Sequence, residues 1–280
     1  MWPLKKPKLD ARTVFETCIS KVRNAGLKGR LESIADDIHD AAEEYEAGAT
    51  DTELHLIAQA TNVGGVVTAD EMVKVYKGRM VPATSPGRAD YDTIVAGAPH
   101  SRCPLCGHRV VSTLDHVLGK AQYPALAVSP LNLVPSCADC NKSKLTASPA
   151  TAEDEFLHPY FDDIENDLWL MADVVQSSPV SIRFYVEPNA AWDATMSARV
   201  ENHFRLLGLN RLYTSQAAEE FLNIRHQLEG LHAQGGAAAV RDFLQETRES
   251  RKAARVNSWQ TAFYTATADS GWYCDGGFSA

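Results

Sequence analysis

Four cysteines in two Cys-X-X-Cys pairs, Cys103/Cys106 and Cys137/Cys140, bracket an Asp115-His116 dipeptide and an isolated Asn132, and Asn141 directly follows the last of them. Thiolates in two such pairs can close a tetrahedral zinc site. A site closed by four thiolates leaves no open position for water, so Zn2+ here would be structural. The residues between and beside the pairs suit different chemistry. The neutral imidazole of His116 can take a proton from water near pH 7. Asp115 offers a hard anionic oxygen and Asn141 a neutral one, the kind of ligands that Mg2+ or Mn2+ takes. A general base beside a divalent ion meets the needs of phosphodiester hydrolysis, which are an activated water, a cation on the phosphoryl oxygens and help for the leaving oxygen. Adjacent residues on a strand point to opposite sides, so Asp115 and His116 are expected to divide these tasks. Lys120, Lys142 and Lys144 are the candidates for reaching a nucleic-acid phosphate.

These residues, over roughly 100–148, resemble the HNH, or ββα-metal, endonucleases, in the branch whose catalytic finger is stapled by four cysteines. Phage junction-resolving endonucleases and the HNH components of bacterial anti-phage systems such as Septu look similar here. The segment His158-Pro159-Tyr160-Phe161-Asp162 is similar to a tail found in such standalone proteins. In this pattern Asn141 stands where many relatives carry His, and Gly119 where they commonly carry Pro. The resemblance implies that Asn132 orients His116 and braces a hairpin, and that cleavage leaves 5′-phosphate and 3′-hydroxyl ends. It also implies a DNA-cutting enzyme of anti-phage defence, with an ATPase or other activating protein as a partner. Two alternatives stand beside it. One is an RNA- or tRNA-cleaving nuclease on the same finger; the other is a zinc finger that binds nucleic acid or a protein without cutting.

Several elements must position these residues. Two strand-like runs, His108 to Ser112 and one ending at Asp115-His116, should form the hairpin. A helix over 137–148 would place Cys137, Cys140, Asn141 and Lys144 on one face, with Ser136 and Asp139 as its cap. Before the finger, residues 10–47 read as two amphipathic helices. Val14, Phe15, Cys18 and Val22 line the first, which Gly26 should end; Leu31, Ile34, Ile38 and Tyr45 line the second. Thr50 with Glu53, and Thr68 with Glu71, each fit a capping box. Pro82 to Gly87 reads as a linker. After the finger, Leu168–Val175 and Val180–Glu187 read as strands joined by a turn at Ser177-Ser178-Pro179. Helical stripes follow at Trp192, Met196, Val200 and Leu207, and at Phe221, Ile224, Leu228 and Leu231. Gly235-Gly236 should break the run before a helix at 237–254. An aromatic tail (Trp259, Phe263, Tyr264, Trp272, Tyr273, Phe278) is expected to dock on this region. The fold class expected is therefore α+β and mostly helical, with a central zinc-bound ββα-metal finger and a small antiparallel hairpin. Its regions would be an N-terminal helical region (1–98), the finger (99–165) and a C-terminal hairpin plus helical region (166–280).

The composition, 45% hydrophobic and 22% charged over 280 residues, is that of a globular protein able to bury a core. No apolar run approaches a membrane span and Met-Trp-Pro-Leu-Lys-Lys-Pro-Lys lacks the apolar core of a signal peptide, so a cytoplasmic chain without a membrane partner is expected. In a cytoplasmic setting paired cysteines bind metal more often than they form disulfides. Cys18 and Cys274 fall on apolar stretches and read as small buried hydrophobes. The net charge of −9 argues against a simple DNA binder, which is usually basic. Residues 100–149 alone carry +3, which leaves −12 on the remainder of the chain. Such segregation can focus a polyanion onto one surface; the alternative is an ordinary acidic surface with a chance basic patch.

Overall fold

In the computed structural model, which describes residues 1–144 and 148–280 with the side chain of Lys144 excepted, the chain divides into two compact units, Met1–Asp163 and Ile164–Ala280. It is mostly helical α+β with small antiparallel hairpins. Among the described residues no helix is long and apolar enough to cross a membrane.

The first unit opens with α1 (Ala11–Ile19), α2 (Ala25–Glu32) and α3 (Ala35–Asp51). Three helices stand where two were expected. Asn24 caps α2 by accepting from the Leu27 N–H, so Gly26 lies in the first turn of a helix and does not end one. Thr50 also differs from expectation. Its hydroxyl donates back to the Glu46 carbonyl inside α3, and the left-handed Thr52 stops that helix. A short hairpin, β1 (Asn62–Val63) and β2 (Val67–Thr68), leads into α4 (Ala69–Val75). There the expected capping box forms: the Thr68 hydroxyl accepts from Glu71 N–H, and the Glu71 carboxylate accepts from Thr68 N–H. A single π turn, Tyr76–Met80, continues α4, and α5 (Arg88–Ala96) follows.

Next come β3 (Thr113–His116), β4 (Leu133–Ser136) and α6 (Ala138–Lys144). β3 and β4 pair antiparallel, with Asp115 opposite Val134 and His116 opposite Leu133. The stretch His108 to Ser112 is not a strand; it makes a lone bridge between Arg102 and Val110. That bridge is made by Cys103 N–H donating to the Arg109 carbonyl and Val111 N–H to that of Ser101, and Ser112 N–H then donates to the Ser136 carbonyl of β4, so the segment pairs at single points and forms no continuous ladder. Leu114 and Leu133 join Val14, Phe15, Ile38, Met72, Met80 and Ile94 in one core, which seats the hairpin on the helices. A second cluster seats the intervening loop: Leu118, Tyr123 and Leu126 pack on Tyr45 and Ala49 of α3.

The second unit holds β5 (Leu170–Val175) and β6 (Ser181–Val186), paired antiparallel, then α7 (Ala194–Leu206), α8 (Leu209–Ala254), α9 (Trp259–Asp269) and α10 (Gly271–Cys274). Helical geometry fails inside α8 at Gly236 (φ 63°), as the Gly-Gly pair foretold. Its core is aromatic, with Trp169, Phe184, Phe263 and Tyr273 almost fully enclosed. Most of the aromatic tail is thus buried, and so are Cys18 and Cys274 in their respective units. Asn257 ties the unit's entry segment to its helices. Its amide donates to the carbonyls of Ile164, Glu165 and Asp167 and accepts from the N–H groups of Trp169 and Leu170.

Candidate functional site

The two cysteine pairs meet. Cys103, Cys106, Cys137 and Cys140 are all buried, and their Sγ atoms lie within 4.8 Å of one another. Two sulfurs on one tetrahedral zinc sit roughly 3.8 Å apart, given a Zn–S bond of about 2.3 Å, so a modest contraction fits the ion. The local backbone is already arranged for thiolates: Arg109 N–H donates to Cys106 Sγ and Cys140 N–H to Cys137 Sγ, each at 3.4 Å. Bonding within the cluster splits the thiols. Cys106 is pushed down by Cys103 and its neighbours, Cys137 is lowered to about 6 chiefly by Cys103, and Cys103 and Cys140 are pushed up. Four anionic sulfurs cannot crowd together without a cation, and this donor set suits zinc. The four cysteines could therefore hold a structural Zn2+.

Each pair is held by a different device. The first turns through Gly107, whose φ of 62° is left-handed and whose absent Cβ would come within 2.8 Å of the Trp2 indole nitrogen. Trp2 lies over this turn and donates its backbone N–H to the Pro104 carbonyl. The second pair straddles the start of α6. Arg109 bridges the two by pairing with Asp139 at 2.9 Å.

β3 carries both residues of the dipeptide. Asp115 and His116 are each only 7% exposed. Strand alternation sends Leu114 and His116 to one face and Asp115 to the other. His116 Nε2 lies 2.9 Å from the carbonyl oxygen of Ala127. A carbonyl only accepts, so Nε2 carries the hydrogen and the lone pair of the neutral ring is on Nδ1. The edge of the ring meets Tyr76, with centroids 4.5 Å apart and planes at 75°. Tyr76 in turn donates its hydroxyl to the Leu114 carbonyl of the same strand.

Asn132, fully buried, closes the loop between the strands. Its oxygen accepts from Leu118 N–H at 2.7 Å, and its amide donates to the carbonyls of Leu118 (2.9 Å) and Leu126 (3.1 Å). That loop also supplies the Ala127 carbonyl that faces His116 Nε2. The tail segment braces the opposite strand: Tyr160 donates its hydroxyl to the Leu133 carbonyl, directly across from His116. His158 is part of this brace. Its Nδ1 accepts from Tyr160 N–H, and its Nε2 faces the Tyr45 hydroxyl at 2.9 Å.

Asn141 is half-buried on α6, which packs against β3, and its backbone N–H bonds to the Cys137 carbonyl. Lys142 is exposed, and the side chain of Lys144 lies outside the described residues. Lys120 is half-buried, its ammonium 5.2 Å from the centre of the Tyr76 ring. Burial lowers the Lys120 pKa and Lys77 adds to this, while Asp115 works in the opposite direction. Tyr76 and Lys77 thus belong to the same neighbourhood as Asp115, His116 and Lys120. Sequence reading missed both, since each looks like an ordinary member of a helical stretch far from the cysteines.

No family model matches the chain, and no solved structure matches it. A curated relative, Protein ea31 of Escherichia phage lambda, is 33% identical over 174 residues, which are 61% of this chain and 58% of that protein. The chain thus spans less than two thirds of the relative's length.

Proposed function

We propose that the protein is an HNH-type endonuclease that hydrolyses phosphodiester bonds in DNA with a divalent metal and His116 as general base. The observation that carries this reading is the setting of His116. A buried imidazole is fixed at Nε2 by a backbone carbonyl, with its lone pair on Nδ1, beside a buried carboxylate and on a hairpin that runs into a cysteine-stapled helix. Asp115 and Asn141 offer the oxygen ligands that Mg2+ or Mn2+ takes, and such an ion would stabilise charge on the phosphoryl and leaving oxygens. His116 takes the proton of the attacking water at Nδ1. The Ala127 carbonyl holds the ring in that tautomer and steadies the imidazolium once it forms. Asn132 keeps the loop that bears this carbonyl closed. Zinc at the four cysteines would fix α6, and with it Asn141, without touching the substrate.

The acidic remainder of the chain weakens attraction to a polyanion, so a partner, such as an ATPase of a defence system, would bring the nuclease to its DNA. Incubating zinc-loaded protein with supercoiled plasmid and with RNA in parallel, with Mg2+, Mn2+ or chelator, tests the reading. Metal-dependent nicking that His116→Ala abolishes is the expected result. Cutting of RNA alone would shift the substrate class, and no cutting under any condition would leave a zinc-held binding module.

A further inference from the structure

The helical region before the finger contributes to the same neighbourhood. α4 ends in the π turn Tyr76–Met80, and single π turns recur at functional sites. This turn places Tyr76 against two separate elements, the His116 ring at 4.5 Å and the Lys120 ammonium at 5.2 Å. The next residue, Lys77, is exposed. Among the described residues, neither Lys77 nor Lys120 makes an ion pair within salt-bridge distance. Holding Lys120 half-buried near a second lysine costs free energy unless an anion completes the group. The aromatic face offsets part of that cost, since a ring attracts a cation placed over it. Asp115 is the nearby anion, and under the nuclease reading it is engaged with metal.

We infer that Lys77 and Lys120, with Lys120 carried on the Tyr76 ring, form a phosphate-contact subsite that seats the nucleic-acid backbone beside His116. Its ligand is a backbone phosphodiester. Identifying that ligand rests on the nuclease reading, but the lysine contacts can be measured without cutting. Two lysines at one place would also give the acidic chain a local grip on a polyanion.

The test uses the full zinc-loaded chain carrying His116→Ala, with a fluorescent DNA duplex and a single-stranded RNA of equal length, read by anisotropy over a salt series. Lys77→Met and Lys120→Met should each reduce the slope of log affinity against log salt by about one, equally for unrelated sequences. Lys120→Arg should keep the slope. Tyr76→Leu should lose the same unit as Lys120→Met, with no further loss when the two are combined. Should Tyr76→Leu fail to fold, the lysine variants still decide. Unchanged slopes in both lysine variants, or no detectable binding of either nucleic acid, would overturn the subsite. Reduced slopes in a protein that never cuts would sink the nuclease reading and leave the subsite standing. Cutting by the unsubstituted protein with unchanged slopes would do the reverse.

Discussion

The two halves of the candidate site are held by opposite means. The cysteine cluster brings together four groups that repel one another once ionised, and a bound cation would relieve that repulsion. The loop around Asn132 needs no ion. Every polar atom of that side chain is matched to a backbone group, and Leu118, Tyr123 and Leu126 pack its walls. One half could therefore serve as a metal-held clamp, while the other is a cradle closed by hydrogen bonds. The difference teaches where each kind of damage should show. Stripping metal should loosen α6 and the first cysteine turn, while His116 keeps its carbonyl contact; breaking the cradle should release His116 while zinc stays.

The largest effect expected is on the clamp. Apparent zinc-binding free energies in structural sites reach about 10–16 kcal/mol at neutral pH, a range that would exceed the stability of most domains. Cys103→Ser and Cys140→Ser should each lose zinc and the cooperative melting of the first unit. A chelator should do the same to the unsubstituted protein. Elemental analysis beside calorimetry reads both, and a purified protein without zinc that melts normally would remove the clamp from the account.

Next in size is the effect on cutting that the proposed nuclease role of His116 predicts. His116→Ala should cut more slowly by a factor on the order of a hundred or more, with zinc content and helicity unchanged. Wild-type rates in saturating Mg2+ would remove His116 from the mechanism. Asn132→Ala then tests the cradle itself. It leaves Leu118 N–H and the Leu118 and Leu126 carbonyls without their side-chain partners, at about 1–3 kcal/mol for each group left unsatisfied. Melting temperature and cutting should fall together while zinc is retained. A variant that melts normally yet fails to cut would point to a direct role for Asn132 in place of a supporting one.

The clamp was the more legible half. Cysteine spacing is a local signal, so the candidate zinc ligands stood out before any fold was known, as did the Thr68/Glu71 capping box and the break at Gly236. The strand assigned to His108–Ser112 shrank to one bridge because Val111 bonds back to Ser101 while Ser112 bonds to Ser136 of β4, and alternation of residue types does not report where pairing partners change. Thr50 failed because its hydroxyl had a partner within its own helix. The cradle was legible only as a set of residue types. That His116 leans on Tyr76, and that Tyr160 reaches Leu133, follows from packing between segments distant in the chain, which no short pattern encodes.

Asn141 sits on the seam between the halves, one residue from a candidate zinc ligand, and its variant should have a small effect of a distinct kind. Sulfur takes zinc and oxygen takes Mg2+. Asn141→Ala should keep zinc and melting temperature while raising the Mg2+ needed for cutting, with partial rescue by Mn2+. An unchanged metal titration would refute the assignment.

The smallest effect should come from the brace behind the hairpin. Tyr160→Phe removes one hydroxyl from the Leu133 carbonyl and leaves the ring in place. A neutral hydrogen bond contributes about 1 kcal/mol net, which in a unit of this size lowers the melting temperature by about 2–4 °C. The consequence for cutting depends on how β4 is held. If the β3–β4 pairing and the Leu114/Leu133 core suffice, His116 keeps its place and cutting changes little while stability falls. If the tail sets the register across from His116, cutting should drop by more than stability predicts, and addition of zinc should not restore it. The apolar anchoring of both strands favours the first outcome. Measuring Tyr160→Phe by calorimetry and by plasmid nicking at a temperature well below its melting point separates the two. A loss of cutting at full foldedness would show that the tail belongs to the cradle and is more than a support behind it.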